Sequence, residues 1–121
     1  MPQPTHSRRW PRYNFDLPVR VLLGRGTREV VIPGRGTALN EGGLAVDVGT
    51  KLRVGKCLFV EFRPPYCPIP CRVPATVRNV RSSPNVPGSR YGVEFVPSDA
   101  LGRQEIETFR EILRRAARDL Q

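Results

Sequence analysis

The sequence predicts a small, mainly β domain: six short antiparallel strands forming a barrel or a sandwich, followed by one C-terminal α-helix. Three observations carry that prediction. Six apolar runs of strand length are separated by Gly- and Pro-rich segments at close spacing; the apolar period turns helical beyond residue 97; and 121 residues hold one compact core and no more. Composition agrees, because 39% hydrophobic and 26% charged residues suit a chain that buries a core, unlike a disordered one.

Pro18 to Leu23 (PVRVLL) alternates as a half-buried strand does, and Gly24 to Thr27 is a turn into a second run, Val30 to Ile32. Pro33-Gly34 is expected to interrupt the pairing as a bulge or kink. Gly42-Gly43 marks a sharp bend before the third strand, Leu44 to Val48. Lys51 to Gly55 connects to the fourth, Cys57 to Phe62 (CLFVEF), which Pro64-Pro65 ends. Pro68 and Pro70 keep the next loop extended, and Cys71 to Val80 is a longer strand that Pro74 bends. Ser82 to Ser89 has turn composition, and Tyr91 to Val96 (YGVEFV) is the last strand.

From Ser98 or Asp99, either of which can cap a helix, Leu101, Ile106, Phe109, Leu113, Ala116, Ala117 and Leu120 recur at helical spacing. Arg103, Glu107, Arg110, Glu111, Arg114, Arg115 and Arg118 fill the polar side. An amphipathic helix of this kind lays its apolar stripe on the mouth or side of the sheet. The expected organisation is a tail over residues 1–15, a barrel over 16–97 and a helix over 98–121, one domain overall.

The 20 basic residues outnumber 11 acidic ones, for a net charge of +9, and all the basic residues but Lys51 and Lys56 are arginines. Guanidinium groups grip phosphate bidentately and stack on purines, so the excess points to a phosphate-bearing partner; a GC-rich genome explains the same composition. No apolar run approaches the roughly 20 residues of a membrane span, and Met1 to Arg12 is polar and basic without the apolar region of a secretory signal. A cytoplasmic location is expected. Cys57, Cys67 and Cys71 are an odd number, and Cys67 and Cys71 are too widely spaced for C-x-x-C; with His6 as the lone histidine, no metal site or disulfide framework is expected. Motifs for a nucleophile elbow, a Walker-type loop or an H-E-x-x-H metal site are missing from the sequence, so an enzyme is not expected.

The most informative segment is Arg8-Arg9-Trp10-Pro11-Arg12, directly before the first strand. Several arginines on a short, Pro-stiffened tail can converge on one anion, one holding a phosphate while another stacks on or bonds a purine. Trp10 either caps such a ligand or packs against the barrel.

Arg8-x-x-x-Arg12, followed by Tyr13-Asn14-Phe15-Asp16 and PVRV, resembles the opening R-x-x-x-R motif of PilZ domains, bacterial receptors for cyclic di-GMP. Leu39-Asn40-Glu41-Gly42-Gly43-Leu44-Ala45-Val46 is similar to their second motif, [D/N]-x-S-x-x-G, and Tyr91 to Val96 with the helix behind it is similar to their closing elements. The similarity covers nearly the whole chain in the family's order. It implies a six-stranded split barrel with a C-terminal helix. It implies no cofactor, with cyclic di-GMP as ligand, bound by Arg8, Arg9, Arg12, Asn40 and Gly43, with Trp10, Ala38 and Gly42 as further contacts.

The second motif departs from the family at two positions. With Gly43 as the family's glycine, Ala38 stands where Asp or Asn is usual and Asn40 where Ser is usual. In the family these side chains bond guanine and phosphate, so Ala38 removes one partner, while Asn40 keeps a donor and an acceptor. One such bond is worth about 1.5–3 kcal/mol, roughly ten- to hundredfold in affinity. Gly42 and Gly43 permit positive φ and a close approach of backbone to ligand, or simply form a β-turn.

The leading expectation is therefore a receptor whose tail closes over cyclic di-GMP and presents a new surface to a protein partner. A degenerate PilZ domain that binds proteins without nucleotide is the second reading, motivated by Ala38. The third is a basic barrel that binds nucleic acid, for which 7% aromatics offer few stacking platforms. The helix also offers a face through which a homodimer could form.

Overall fold

In the computed structural model, residues 13–24, 26–40, 42–82 and 88–119 are described. The strands are β1 (Tyr13–Leu23), β2 (Val30–Leu39), β3 (Gly43–Val48), β4 (Cys57–Phe62), β5 (Cys71–Ser82) and β6 (Ser89–Phe95), and the helix is α1 (Ala100–Asp119). All neighbouring strands are antiparallel, and they close into a barrel in the order β1-β2-β3-β6-β5-β4. Closure leaves no sheet edge open to pair with another chain. Of the two architectures open to the periodicity, the barrel is the one formed.

Alternation sets the inside of the barrel. Leu17, Val19 and Val21 of β1, Leu44, Val46 and Val48 of β3, Leu58, Val60 and Phe62 of β4, and Tyr91, Val93 and Phe95 of β6 all join one core. Each such side chain, fully buried, contributes about 1.5–3 kcal/mol. The helix adds Ile106, Phe109, Leu113 and Ala116 to the same core, and Phe109 meets Phe95 edge to face with centroids 5.8 Å apart. Tyr91 is buried and its hydroxyl accepts the Leu52 amide at 2.8 Å, tying the β3–β4 connection to β6.

Several boundaries differ from expectation. β1 begins at Tyr13, so Tyr13–Phe15, assigned by sequence to the tail, are strand. β2 runs unbroken through Pro33-Gly34, and the irregularity falls between Gly36 and Ala38 instead. The three strand prolines share a reason for being tolerated. Pro18 precedes the β1·β4 ladder, which starts at Arg20; Pro33 precedes the β2·β3 ladder, which starts at Gly34; Pro74 precedes the β5·β6 ladder, which starts at Ala75. Each lacks an N–H where its strand has a single ladder partner.

On the helix, Asp99 is the cap: its Oδ1 accepts the Gly102 amide at 2.7 Å. Two positions break the predicted stripe. Leu101 is 66% exposed, because it lies in the first turn before α1 reaches the barrel, and Arg110, placed by sequence on the polar side, is buried. The reason for the second lies at the β2–β3 turn.

Candidate functional site

The β2–β3 turn is built by one side chain. Asn40 Oδ1 accepts from the Gly42 amide at 3.1 Å and the Gly43 amide at 2.8 Å, while the Asn40 amide donates to the Gly43 carbonyl at 3.0 Å. This is what asparagine does in turns, where its short amide imitates backbone. Its acceptor is therefore committed to the turn, and Nδ2 is the group left to donate outward. The Phe95 amide donates to the Gly42 carbonyl at 2.9 Å and continues the turn into β6.

Neither glycine of the pair has positive φ, contrary to the use expected for them. Gly43 is required for another reason: a Cβ there would stand 1.9 Å from the Val93 carbonyl oxygen, so β3 and β6 approach as only glycine allows. Gly42 is exposed, and a Cβ there would meet nothing within 4 Å.

Arg110 explains its burial here. From α1, its Nη2 donates to the Asn40 carbonyl at 3.0 Å, across 70 residues of sequence, and Glu107 lies 4.0 Å from Nη1. The helix thus holds the turn by its main chain. Helical periodicity placed Arg110 among solvated residues, and nothing local in the sequence signals its acceptor.

Beside the turn lies a cleft of about 460 Å³ bounded by Asn40, Gly42 and Gly43 on one side and Arg78, Asn79, Gly92 and Glu94 on the other. Arg78 and Glu94 pair across it, and the Asn79 amide lies over Gly92, where a Cβ would meet Oδ1 at 2.6 Å. A row of register partners crosses the outer wall from here: Asn79 opposite Gly92, Gly92 opposite Ala45, Ala45 opposite Ala38, and Ala38 opposite Asn14. The middle of the row is two methyls and a hydrogen, and its ends are amides.

Of the residues singled out by sequence, Ala38, Asn40, Gly42 and Gly43 come together at this turn and row. Ala38 is buried and offers only a methyl group. Arg8, Arg9, Trp10 and Arg12 lie outside the described residues. Tyr13, the residue that follows Arg12 in sequence, pairs with Leu39, the neighbour of Asn40.

A larger cleft, about 640 Å³, opens elsewhere on the wall between Arg20, Arg35, Asp47, Glu61 and Arg63. Its charges are largely neutralised. Arg20 meets buried Glu61 at 3.3 Å, Arg35 meets Asp16 at 2.7 Å, and Arg90 grips both oxygens of Asp47 at 2.7 and 3.0 Å. The hydrogen bond from Arg35 holds the Asp16 carboxyl below the usual carboxylate range, and that to Asp47 raises Arg90. Among the described residues, none of those singled out by sequence lies there.

No curated protein matches the chain. Solved structures that share its fold include MotI/DgrA and YcgR. The Bacillus subtilis inhibitor of motility MotI/DgrA superposes with a TM-score of 0.61 at 19% identity, over 93% of this chain and 53% of that one. YcgR from Escherichia coli, solved in complex with c-di-GMP, superposes with a TM-score of 0.56 at 16% identity, over 94% of this chain and 49% of that one. The chain thus spans about half the length of each. The family model described as PilZ domain matches residues 6–111, from the tail through most of α1. With that match over the closed barrel and its helix, the chain belongs to the PilZ domain family.

Proposed function

We propose that this protein is a cyclic di-GMP receptor that acts as a signalling adaptor and not as an enzyme. The observation that supports the reading is the pairing of Tyr13, the residue after Arg12 in sequence, with Leu39, the neighbour of Asn40. Arg8, Arg9 and Arg12 would then close on the two phosphates and a guanine, while Asn40 donates through Nδ2 and the glycine turn lets the ligand approach backbone. Membership of the family and the likeness to YcgR, solved with c-di-GMP, support the choice of ligand. Clamping of the tail onto the wall changes the surface offered to a protein partner, and a cytoplasmic location follows from the ligand's chemistry as an intracellular messenger. Among the described residues no helix is long and apolar enough to cross a membrane.

Calorimetric titration with cyclic di-GMP tests the reading. The expected result is binding at micromolar or lower Kd that is lost in Arg8→Ala and Arg12→Ala. Absence of binding at high micromolar ligand overturns it and leaves the protein-interaction module as the reading to pursue.

A further inference from the structure

The arginine tail leaves one chemical requirement of the proposed ligand unmet. Guanine presents acceptors at O6 and N7 but donors at N1 and N2, and guanidinium groups only donate. A base-specific site therefore needs an acceptor near the tail. At the turn, Asn40 Oδ1 is occupied by two backbone amides, and Ala38 has no polar atom. Farther along the wall, the Asp16 carboxylate is held by Arg35 and that of Glu94 by Arg78.

Asn14 meets the requirement. It is the register partner of Ala38, so the two side chains stand on one face with Cβ atoms about 4.5–5.5 Å apart. That face is the outer one, because the next pair, Tyr13 with Leu39, puts the fully buried Leu39 side chain into the core. Asn14 is exposed, opposes the methyl of Ala38, and lies two residues after Arg12, on a strand and not on the tail.

We propose that Asn14 supplies from β1 the base-reading side chain that β2 lacks at Ala38, its Oδ1 accepting from the guanine N1–H and N2–H edge of the bound dinucleotide. The proposal rests on the cyclic di-GMP reading above. Asn14 is then a specificity-determining residue: the arginines supply attraction for any cyclic dinucleotide, and the amide selects guanine over a base that lacks those donors.

The test titrates wild type, Asn14→Ala, Asn14→Asp and the double variant Asn14→Ala with Ala38→Asn against cyclic di-GMP and cyclic di-AMP, with thermal melts as the folding control. Asn14→Ala is expected to weaken cyclic di-GMP binding about tenfold or more, equivalent to about 1.4 kcal/mol, and to narrow the preference over cyclic di-AMP, without lowering Tm. Asn14→Asp, which keeps an acceptor, and the double variant, which returns an amide to the opposite strand, should recover affinity to within about threefold. Wild-type binding that Asn14→Ala leaves unchanged overturns this inference alone, as does a loss that neither the aspartate nor the double variant recovers. Failure of wild type to bind cyclic di-GMP overturns the receptor reading and this inference with it.

Discussion

Two adjacent glycines in the β2–β3 turn should respond differently to the same substitution. In Gly43→Ala the new Cβ would lie 1.9 Å from the Val93 carbonyl oxygen, 2.9 Å from the Val93 carbonyl carbon and 3.0 Å from Glu94 Cα. All three are backbone atoms of β6, so no rotamer change relieves the overlap, and the strands must part at the rung where Gly43 faces Glu94. Parting there strains the bond from the Phe95 amide to the Gly42 carbonyl and those between Asn40 and Gly43. Three hydrogen bonds at about 0.5–1.5 kcal/mol each give a loss of about 1.5–4.5 kcal/mol. The stiffer unfolded chain of an alanine variant offsets about 0.4–1 kcal/mol of it. A net destabilisation of about 0.5–4 kcal/mol, centred near 2, is expected. Gly42→Ala, in open space and without positive φ, should stay within about 0.5 kcal/mol of wild type. Urea unfolding followed by circular dichroism measures both, with the midpoint of Gly43→Ala falling by about 1 M if m is about 2 kcal/mol/M. Equal midpoints for the two variants would refute the reasoning, since it rests on β6 backbone lying against one glycine and not the other.

Arg110→Met removes the charged donor from the Asn40 carbonyl and should cost about 1.5–3 kcal/mol in the same urea assay; a loss below 0.5 kcal/mol would show that the helix does not hold the turn. Gly24 has φ of 89° and a Cβ there would meet the Arg28 carbonyl oxygen at 2.5 Å, so Gly24→Ala should lower the melting temperature, by the equivalent of about 1–2 kcal/mol. Asp16, whose carboxyl is held low by Arg35, stabilises the fold fully above the unfolded carboxylate pKa of about 3.9 and loses that contribution as pH falls through its lower folded value. Asp16→Asn should therefore be slightly less stable than wild type at neutral pH, with the difference shrinking as pH falls through the lowered Asp16 value. Because the pair is solvent-exposed, the difference should be small and should shrink in 0.5 M salt, a dependence that melts across pH and salt would show.

Alternation and turn composition revealed six strands and a helix because those signals are local. What they could not reveal was which strands become neighbours, and three differences follow from that. Pro33 read as a break, yet it lies one residue outside the β2·β3 ladder, where its missing N–H is tolerated. Arg110 read as solvated, yet its acceptor comes from a turn 70 residues earlier. Asn14 was not among the candidate site residues, because its relation to Ala38 exists only in the register of two strands. The turn itself was more legible: Asn40 and the glycine pair were singled out from the sequence, although Asn40 spends its acceptor on building the turn and Gly43 makes room for β6.

The basic excess also takes a different meaning once the strands are ordered. Arg35 in β2 reaches Asp16 in β1, Arg20 in β1 and Arg72 in β5 share Glu61 in β4, Arg78 in β5 reaches Glu94 in β6, and Arg90 in β6 reaches Asp47 in β3. Every neighbouring strand pair except β2·β3 is thus bridged by an arginine and a carboxylate. Individually such exposed pairs contribute little, about 0.2–1 kcal/mol, but Glu61 is buried between two guanidinium groups and is sensitive to the loss of either. A barrel that tracked a polyanion would need cations in its wall aimed at successive phosphates. These wall arginines are instead turned along the sheet toward carboxylates. Residues 1–12 hold three arginines, two of them adjacent, and no acidic residue, a cationic cluster separate from these wall pairs. That distribution suits capture of a compact dianion at the foot of the tail better than a long nucleic acid around the barrel.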